Sequence, residues 1–331
     1  MSNKLQTNPN PAKQFKPNKR LNIIMKRRSF LANTGITLGA LALSNYSSLA
    51  SVLAQEPYKI KMLTNNLGVF TEQGGTIAFL IPEKGANSGL VVVDSQFVNP
   101  AQHLVEALKK KSELPFDLLI NTHHHADHTS GNIVFKGLVK HVLAHENSLA
   151  NQKQVAEMAK SNGKEIVEQY FPDTVFAADY QYKIGNETIK AHYFGAGHTN
   201  GDAMIHFENQ NAVHMGDLVF NKRYPYIDKS AGADIGSWIK VLDKAMATFG
   251  AKANYIFGHA YNPEEIVGTV EDLKAYQRYL EKLLDFVGKE IKAGKSKDEI
   301  LKATTIPGAD EWKGDGIERS LDAAYQELYK A

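Results

Sequence analysis

Four histidines and an aspartate fall within six consecutive positions, His123-His124-His125-Ala126-Asp127-His128. These are metal-ligand types. Alternate residues of an extended segment point to the same side, so His123 and His125 can grip one metal ion together. Asp127 and His128 follow after a turn and could face a second ion beside the first. The apolar run at residues 116–120 leads into the cluster, and Thr129-Ser130-Gly131-Asn132 follows it, a strand-to-turn setting that suits such a site.

Three further positions put a ligand-type residue beside glycine after an apolar segment: Gly197-His198-Thr199, Met215-Gly216-Asp217 and Phe257-Gly258-His259. Loops at the ends of rigid elements are where metal ligands are commonly found. The chain has no cysteine, which excludes thiolate ligands, a thiolate nucleophile and disulfides. A transition-metal site here must use histidine and carboxylate, a donor set that suits Zn(II), Fe(II) and Mn(II).

The elements that must carry these residues read as short strands at residues 58–63, 76–81, 90–93, 116–120, 140–144, 189–194, 203–207, 212–215 and 255–257. Helices are expected at 101–111, 147–161 and 235–249, with residues 63–75 a loop that could overhang the cleft. From residue 270 the chain turns helical, with Val270, Leu273, Leu280, Leu284, Val287 and Ile291 on one packing face. Gly294 ends that helix, and Ser296-Lys297-Asp298-Glu299 has the capping-box pattern that starts another. No composition break divides residues 55–331, which are expected to form one domain.

The order H-x-H-x-D-H, then G-H-T, G-D and G-H, resembles the metallo-β-lactamase superfamily, and the resemblance spans residues 90–259. It implies an α/β fold, an αββα sandwich of two packed sheets with helices outside. It also implies that His123, His125 and His198 bind one metal, that Asp127, His128 and His259 bind a second, and that Asp217 bridges them. Asp94 matches a recurrent aspartate near the site, supporting the ligands from behind. Many β-lactamases of this superfamily carry cysteine where this chain has Asp217; a bridging aspartate is similar to the glyoxalase II, lactonase and general hydrolase branches.

The expected function is therefore a binuclear hydrolase with two Zn(II) per chain, Fe or Mn being alternatives. Two cations sharing a water lower its pKa towards neutrality, so a bridging hydroxide can attack an ester, thioester, lactone or amide carbonyl. Asp127 is the expected catalytic residue, ligating and also accepting a hydrogen bond from that hydroxide. β-Lactam hydrolysis is one alternative, and a mononuclear iron persulfide dioxygenase using a subset of the ligands is another. His124, His145, His206, His214, His103, His141 and His192 read as structural or surface histidines. Asp202 is either a turn residue or an orienter of a ligand histidine. Lys222, Arg223, Tyr224 and Tyr226 form a segment suited to an anionic or apolar-bodied small-molecule substrate, or else a solvated loop.

Met25-Lys26-Arg27-Arg28-Ser29-Phe30-Leu31, a moderately apolar stretch and small residues ending at Ala50 or Ala54 read as an export leader. The paired arginines resemble a twin-arginine signal, with Met1 or Met25 as the start. Residues 1–54 are expected to be removed, leaving no stable membrane anchor and a periplasmic or secreted protein. The leader holds eight basic residues and no acidic one, so the formal charge of +2 becomes acidic without it. That disfavours a nucleic-acid partner. No pattern in the sequence specifies an oligomeric state.

Overall fold

A computed structural model describes residues 58–85, 87–163 and 168–329; the leader and its cleavage positions lie outside these residues. The first sheet follows chain order: β1 (Lys59–Met62), β2 (Leu67–Thr71), β3 (Ile77–Leu80), β4 (Leu90–Val93), β5 (Phe116–Asn121), β6 (His141–His145) and β7 (Thr174–Phe176). The first four strands pair antiparallel through short connections, whereas β4 to β7 run parallel and need longer crossovers. Helices α1 (Val98–Lys111) and α3 (Glu146–Ser161) supply two of these; the helical turn α2 (Ala126–Thr129) lies in the third.

The second sheet holds β8 (Asp179–Ile184), β9 (Glu187–His192), β10 (Met204–Phe207), β11 (Ala212–His214), β13 (Asn254–Ile256) and β15 (Val267–Gly268), in the spatial order β15-β13-β11-β10-β9-β8. Between β11 and β13 the chain forms β12 (Phe220–Asn221) and α4 (Ile235–Phe249), and β12 pairs with β14 (His259–Ala260) as a small parallel ribbon. The C-terminal part is α5 (Val270–Lys292), the short α6 (Lys297–Ile300) and α7 (Ile317–Tyr329). Both the glycine stop at Gly294, with φ of 80°, and the Ser296–Glu299 capping box are present.

Alternation along the strands sorts the side chains into three apolar layers. In β4, Val91 and Val93 pack between the sheets with Ile205, Phe207 and Ile256, while Leu90 and Val92 pack outward on Leu104 and Leu108 of α1. A strand buried on both faces reads as an unbroken apolar run, which is why Leu90-Val-Val-Val carries no polar alternation. On the far side, Met204, Val213 and Tyr255 meet Trp238 and Leu242 of α4 and Leu273, Tyr276 and Leu280 of α5. The result is an αββα sandwich, as the resemblance implies.

The sequence expectation fails at residues 63–75. Residues 67–71 form β2, with Leu67 to Phe70 buried, paired to both β1 and β3. The asparagines and glycines flanking the segment are turn residues of the sheet and not the mark of a long loop. β7, β8, β15 and α7 were also absent from the sequence-based elements.

Candidate metal centre

The site is assembled at strand ends. β5 is buried along its whole length and stops at Asn121, after which the chain bends through Thr122, His123 and His124. His125 has the β-region backbone of a helix N-cap (φ −65°, ψ 149°), and α2 then places Asp127 and His128 one turn away. His198 sits in the loop between β9 and β10, Asp217 in a 3-10 turn after β11, and His259 at the start of β14. Gly216 takes a φ of +52° to make its turn. Gly258 is required by close approach, because a Cβ there would stand 2.1 Å from Asp217 Oδ1.

All seven residues expected at the site converge. Ligand-capable atoms of His123, His125, His198 and Asp217 form one group within 4.8 Å, and those of Asp127, His128 and His259 form another. In the first, His125 Nδ1 lies 3.1 Å from His123 Nε2 and 2.9 Å from His198 Nε2. Asp217 reaches both groups: Oδ2 is 3.5 Å from His198 Nε2 and 3.4 Å from His259 Nε2, and Oδ1 is 3.1 Å from His128 Nε2. His259 Nε2 is 3.1 Å from Asp127 Oδ2.

The opposite edges of the imidazoles are already committed. His198 Nδ1 donates to the Tyr226 carbonyl at 2.7 Å, and His125 Nε2 donates to Asp228 Oδ2 at 2.9 Å. Thr122 Oγ1 donates its one proton to Asp94 Oδ2, so it accepts from His123 Nδ1 at 3.0 Å. His128 Nδ1 donates to Asp94 Oδ2 at 2.8 Å. Each bond fixes the tautomer and turns the other nitrogen's lone pair inward.

This geometry tests whether a metal fits. With those tautomers His125 Nδ1, His123 Nε2 and His198 Nε2 face one another as three lone pairs with no proton between them, an arrangement that a cation satisfies together. Tetrahedral ligands 2.0–2.1 Å from zinc stand about 3.3–3.4 Å apart, and the observed spacings of 2.9–3.8 Å bracket that value. Buried His128 Nε2 and Asp217 Oδ1 make no well-formed hydrogen bond among the described residues, as expected of atoms placed for a cation. The residues present fit a metal pair.

Electrostatics agree. Burial, followed by the neighbouring histidines, lowers His123 well below the usual histidine value, and burial with His125 takes His198 down to about 3. Burial also opposes charge on His259, but Asp217 and Asp127 outweigh it and raise the ring to about 9. Burial would raise Asp217, yet His259, His128 and His123 hold it well below the carboxylate range. The carboxylates demand positive charge, and among the described residues Asp127 and Asp217 pair with histidines alone, with no lysine or arginine.

The supporting residues sort clearly. Asp94 is fully buried and accepts from the Thr122 backbone and hydroxyl as well as from His128, so it ties the two groups together from behind. Asp202 accepts from Thr199 N at 2.8 Å and Thr199 Oγ1 at 2.6 Å, which makes it the turn residue that shapes the His198 loop. His145 caps α3 and His214 bonds Thr76 and Gly216, both structural. His124 is buried 3.6 Å from Asp228 Oδ2 and, with His125 and Asp228, forms a third cluster of ligand-type atoms within 4.8 Å, beside the two groups that hold the seven expected residues. Lys222 pairs with Glu265, while Arg223, Tyr224 and Tyr226 line the cleft.

That cleft, about 330 Å³, is also lined by His125, Asp127, Asp217, His259, Phe220, Asp315 and Arg319. Asp228, Phe220, Asp315 and Arg319 were not singled out in the sequence. Asp228 carries a local turn signal, since it caps the turn at Lys229–Ala231, but its bond to His125 spans 103 positions.

Sheets packed in this order, with histidine and aspartate groups converging at the strand ends, define a metallohydrolase-type sandwich. The Metallo-beta-lactamase superfamily model matches residues 76–259, and the chain belongs to that superfamily. It is 25% identical to a metallo-beta-lactamase type 2 of Bacillus cereus over 70% of this chain and 93% of that protein. A probable hydroxyacylglutathione hydrolase of Schizosaccharomyces pombe is 29% identical over 39% of this chain and 44% of its own length. In three dimensions the chain is similar to the metallo-beta-lactamase from Pontibacter korlensis, with TM-score 0.54, 20% identity, and coverage of 68% of this chain and 99% of that one. Membership supports a metal-dependent hydrolase.

Proposed function

We propose that this chain is a binuclear zinc hydrolase acting on an ester, thioester, lactone or amide carbonyl. In this reading residues 55–331 are the catalytic unit, working in the periplasm or outside after the leader is removed. His123, His125 and His198 hold one ion, Asp127, His128 and His259 the other, and Asp217 is shared. The observation that carries the reading is the inward commitment of four imidazole lone pairs, each fixed by an acceptor on the far side of its ring.

When bound, such cations supply Lewis acidity and a lowered water pKa, the chemistry that carbonyl hydrolysis needs at neutral pH. The chain's own residues do the positioning. Asp127 is the ligand most open to the cleft, with its side chain 31% exposed. Its Oδ2 faces His259, and among the described residues Oδ1 has no partner, so Oδ1 can accept the proton of an attacking water and orient it. Phe220 stacks on the His259 ring at 5.3 Å and 14° and covers the site's apolar side.

Metal content of protein purified without added metal tests this directly. About two zinc ions per chain, with hydrolysis of a 4-nitrophenyl ester, a lactone or a thioester lost on chelation, is the expected result. A single iron with thiol-dependent oxygen uptake would refute it in favour of a persulfide dioxygenase. A second reading, β-lactam hydrolysis, is favoured by the match to nearly the whole Bacillus cereus protein. Nitrocefin turnover that disappears in His123→Ala would support it.

A further inference from the structure

The wall of the cleft facing the ligands is built in part by a stretch of the chain that the superfamily match does not include. The match ends at residue 259, yet Asp315 and Arg319 line the cleft with Arg223, Tyr224 and Tyr226. The two segments are stitched together. Tyr224 N donates to Lys313 O at 3.2 Å, Lys313 N donates to Lys222 O at 3.0 Å, and the buried Ser320 hydroxyl donates to the Pro225 carbonyl at 2.8 Å. The same loop is tied to the metal centre through the Tyr226 carbonyl, which accepts from His198. These bonds place the backbone at Arg319 beside the loop that carries Tyr226.

The chemistry of that wall is specific. Residues 58–329 contain three arginines, Arg223, Arg278 and Arg319, and two of them line this one cleft, while lysine supplies every other permanently cationic side chain of the stretch. Neither Arg223 nor Arg319 is in an ion pair among the described residues. The Arg319 guanidinium lies over the Tyr226 ring at 5.6 Å, and the Tyr226 ring centre is 5.4 Å from that of His125. Those two steps place the guanidinium carbon no more than about 11 Å from a ligand imidazole. A planar guanidinium held over an aromatic face by a cation–π contact keeps N–H groups free for a carboxylate. Asp315 on the same wall leaves a net charge of one, matched to a single carboxylate and unsuited to a polyanion.

We propose that Arg319, assisted by Arg223, binds the carboxylate of a small singly charged substrate whose scissile carbonyl lies at the ligand groups. The C-terminal segment thus selects the substrate. This assignment rests on the hydrolytic reading for the role of the carbonyl, but anion binding at Arg319 is measurable without turnover.

Two measurements on the full chain test it. The first compares 4-nitrophenyl hydrogen terephthalate with its methyl ester, which share one scissile ester and differ in one negative charge. The anion is expected to show about tenfold higher kcat/KM. That ratio falls towards one in Arg319→Ala, is intermediate in Arg319→Lys, and is retained in Arg278→Ala. The second titrates benzoate into arginine-labelled protein and follows the guanidinium Nε–H resonances, assigned with Arg223→Lys and Arg319→Lys. Those of Arg223 and Arg319 are expected to shift and that of Arg278 to stay. Shifts without turnover of either ester leave the anion site standing and count against the hydrolytic reading. Equal kcat/KM for the two esters, or benzoate titration that moves neither resonance, overturns the proposal.

Discussion

Replacing Asp94 by asparagine probes how far the metal centre depends on residues that touch no substrate. Asp94 is fully buried, and its two oxygens accept three hydrogen bonds of 2.8 Å each, from Thr122 N, Thr122 Oγ1 and His128 Nδ1. Its backbone has a φ of 66°, a left-handed conformation that asparagine tolerates and alanine does not, so Asn isolates the charge and acceptor loss from backbone strain. An amide in that place offers one acceptor oxygen to three donors and turns an NH2 towards one of them. If His128 loses its acceptor, its proton can move to Nε2 and remove the inward lone pair. Loss of such a support typically costs 10–100-fold in metal affinity, about 1.4–2.7 kcal/mol. Chelator competition with zinc quantification reads this, and Thr122→Val supplies the contrast: it removes the acceptor for His123 Nδ1 while leaving His128 bonded to Asp94. Asp94→Asn should weaken the group containing His128 most, and Thr122→Val the group containing His123. Retention of both ions at wild-type affinity in Asp94→Asn would refute the reasoning.

In Gly75→Ala the new Cβ would stand 2.0 Å from His128 Cε1, and since that ring is pinned by Asp94 it must be displaced; zinc stoichiometry below two with loss of hydrolysis is expected, and an unchanged pair of ions would contradict it. Leu280→Ala removes a fully buried side chain between α5 and the second sheet and should cost about 2–5 kcal/mol, read from the denaturant midpoint. His145 is held below the usual histidine value by burial, its Nδ1 accepting from Asn147 N while Nε2 donates to the Ala177 carbonyl. The unfolded chain therefore takes up a proton near pH 6.5 that the folded chain refuses, so this contribution is full above pH 6.5 and is lost as pH falls. Denaturation midpoints should drop less steeply below pH 6.5 in His145→Asn, which keeps a capping side chain, and parallel slopes would show that His145 does not carry the effect.

The residues 116–128 stretch was legible because its order is local: an apolar run that must be buried, then ligand types at spacings that a strand end and one helical turn bring to one side. His198, Asp217 and His259 were legible for a similar reason, each lying beside a glycine at the end of an apolar segment. Helix α4 was also readable to its ends, with apolar residues at helical spacing between Asp234 and Gly250. β2 was not, because Leu67-Gly-Val-Phe is short and its turn-rich flanks outweigh the apolar signal until β1 and β3 bracket it.

What the sequence by itself determined is thus the set of side chains able to hold metal and the layered fold that brings strand ends together. Only tertiary structure decided how those side chains are oriented and what faces them. The bond from His125 to Asp228 and the contact of Arg319 over Tyr226 join positions 103 and 93 apart. Such partners leave no periodicity or spacing signal, because their proximity follows from how whole layers pack. Asp202, ambiguous as a string of letters, became a turn residue once its two oxygens were seen on Thr199. Local chemistry could be read from order along the chain; the cleft's opposite wall needed the C-terminal helix packed back across it.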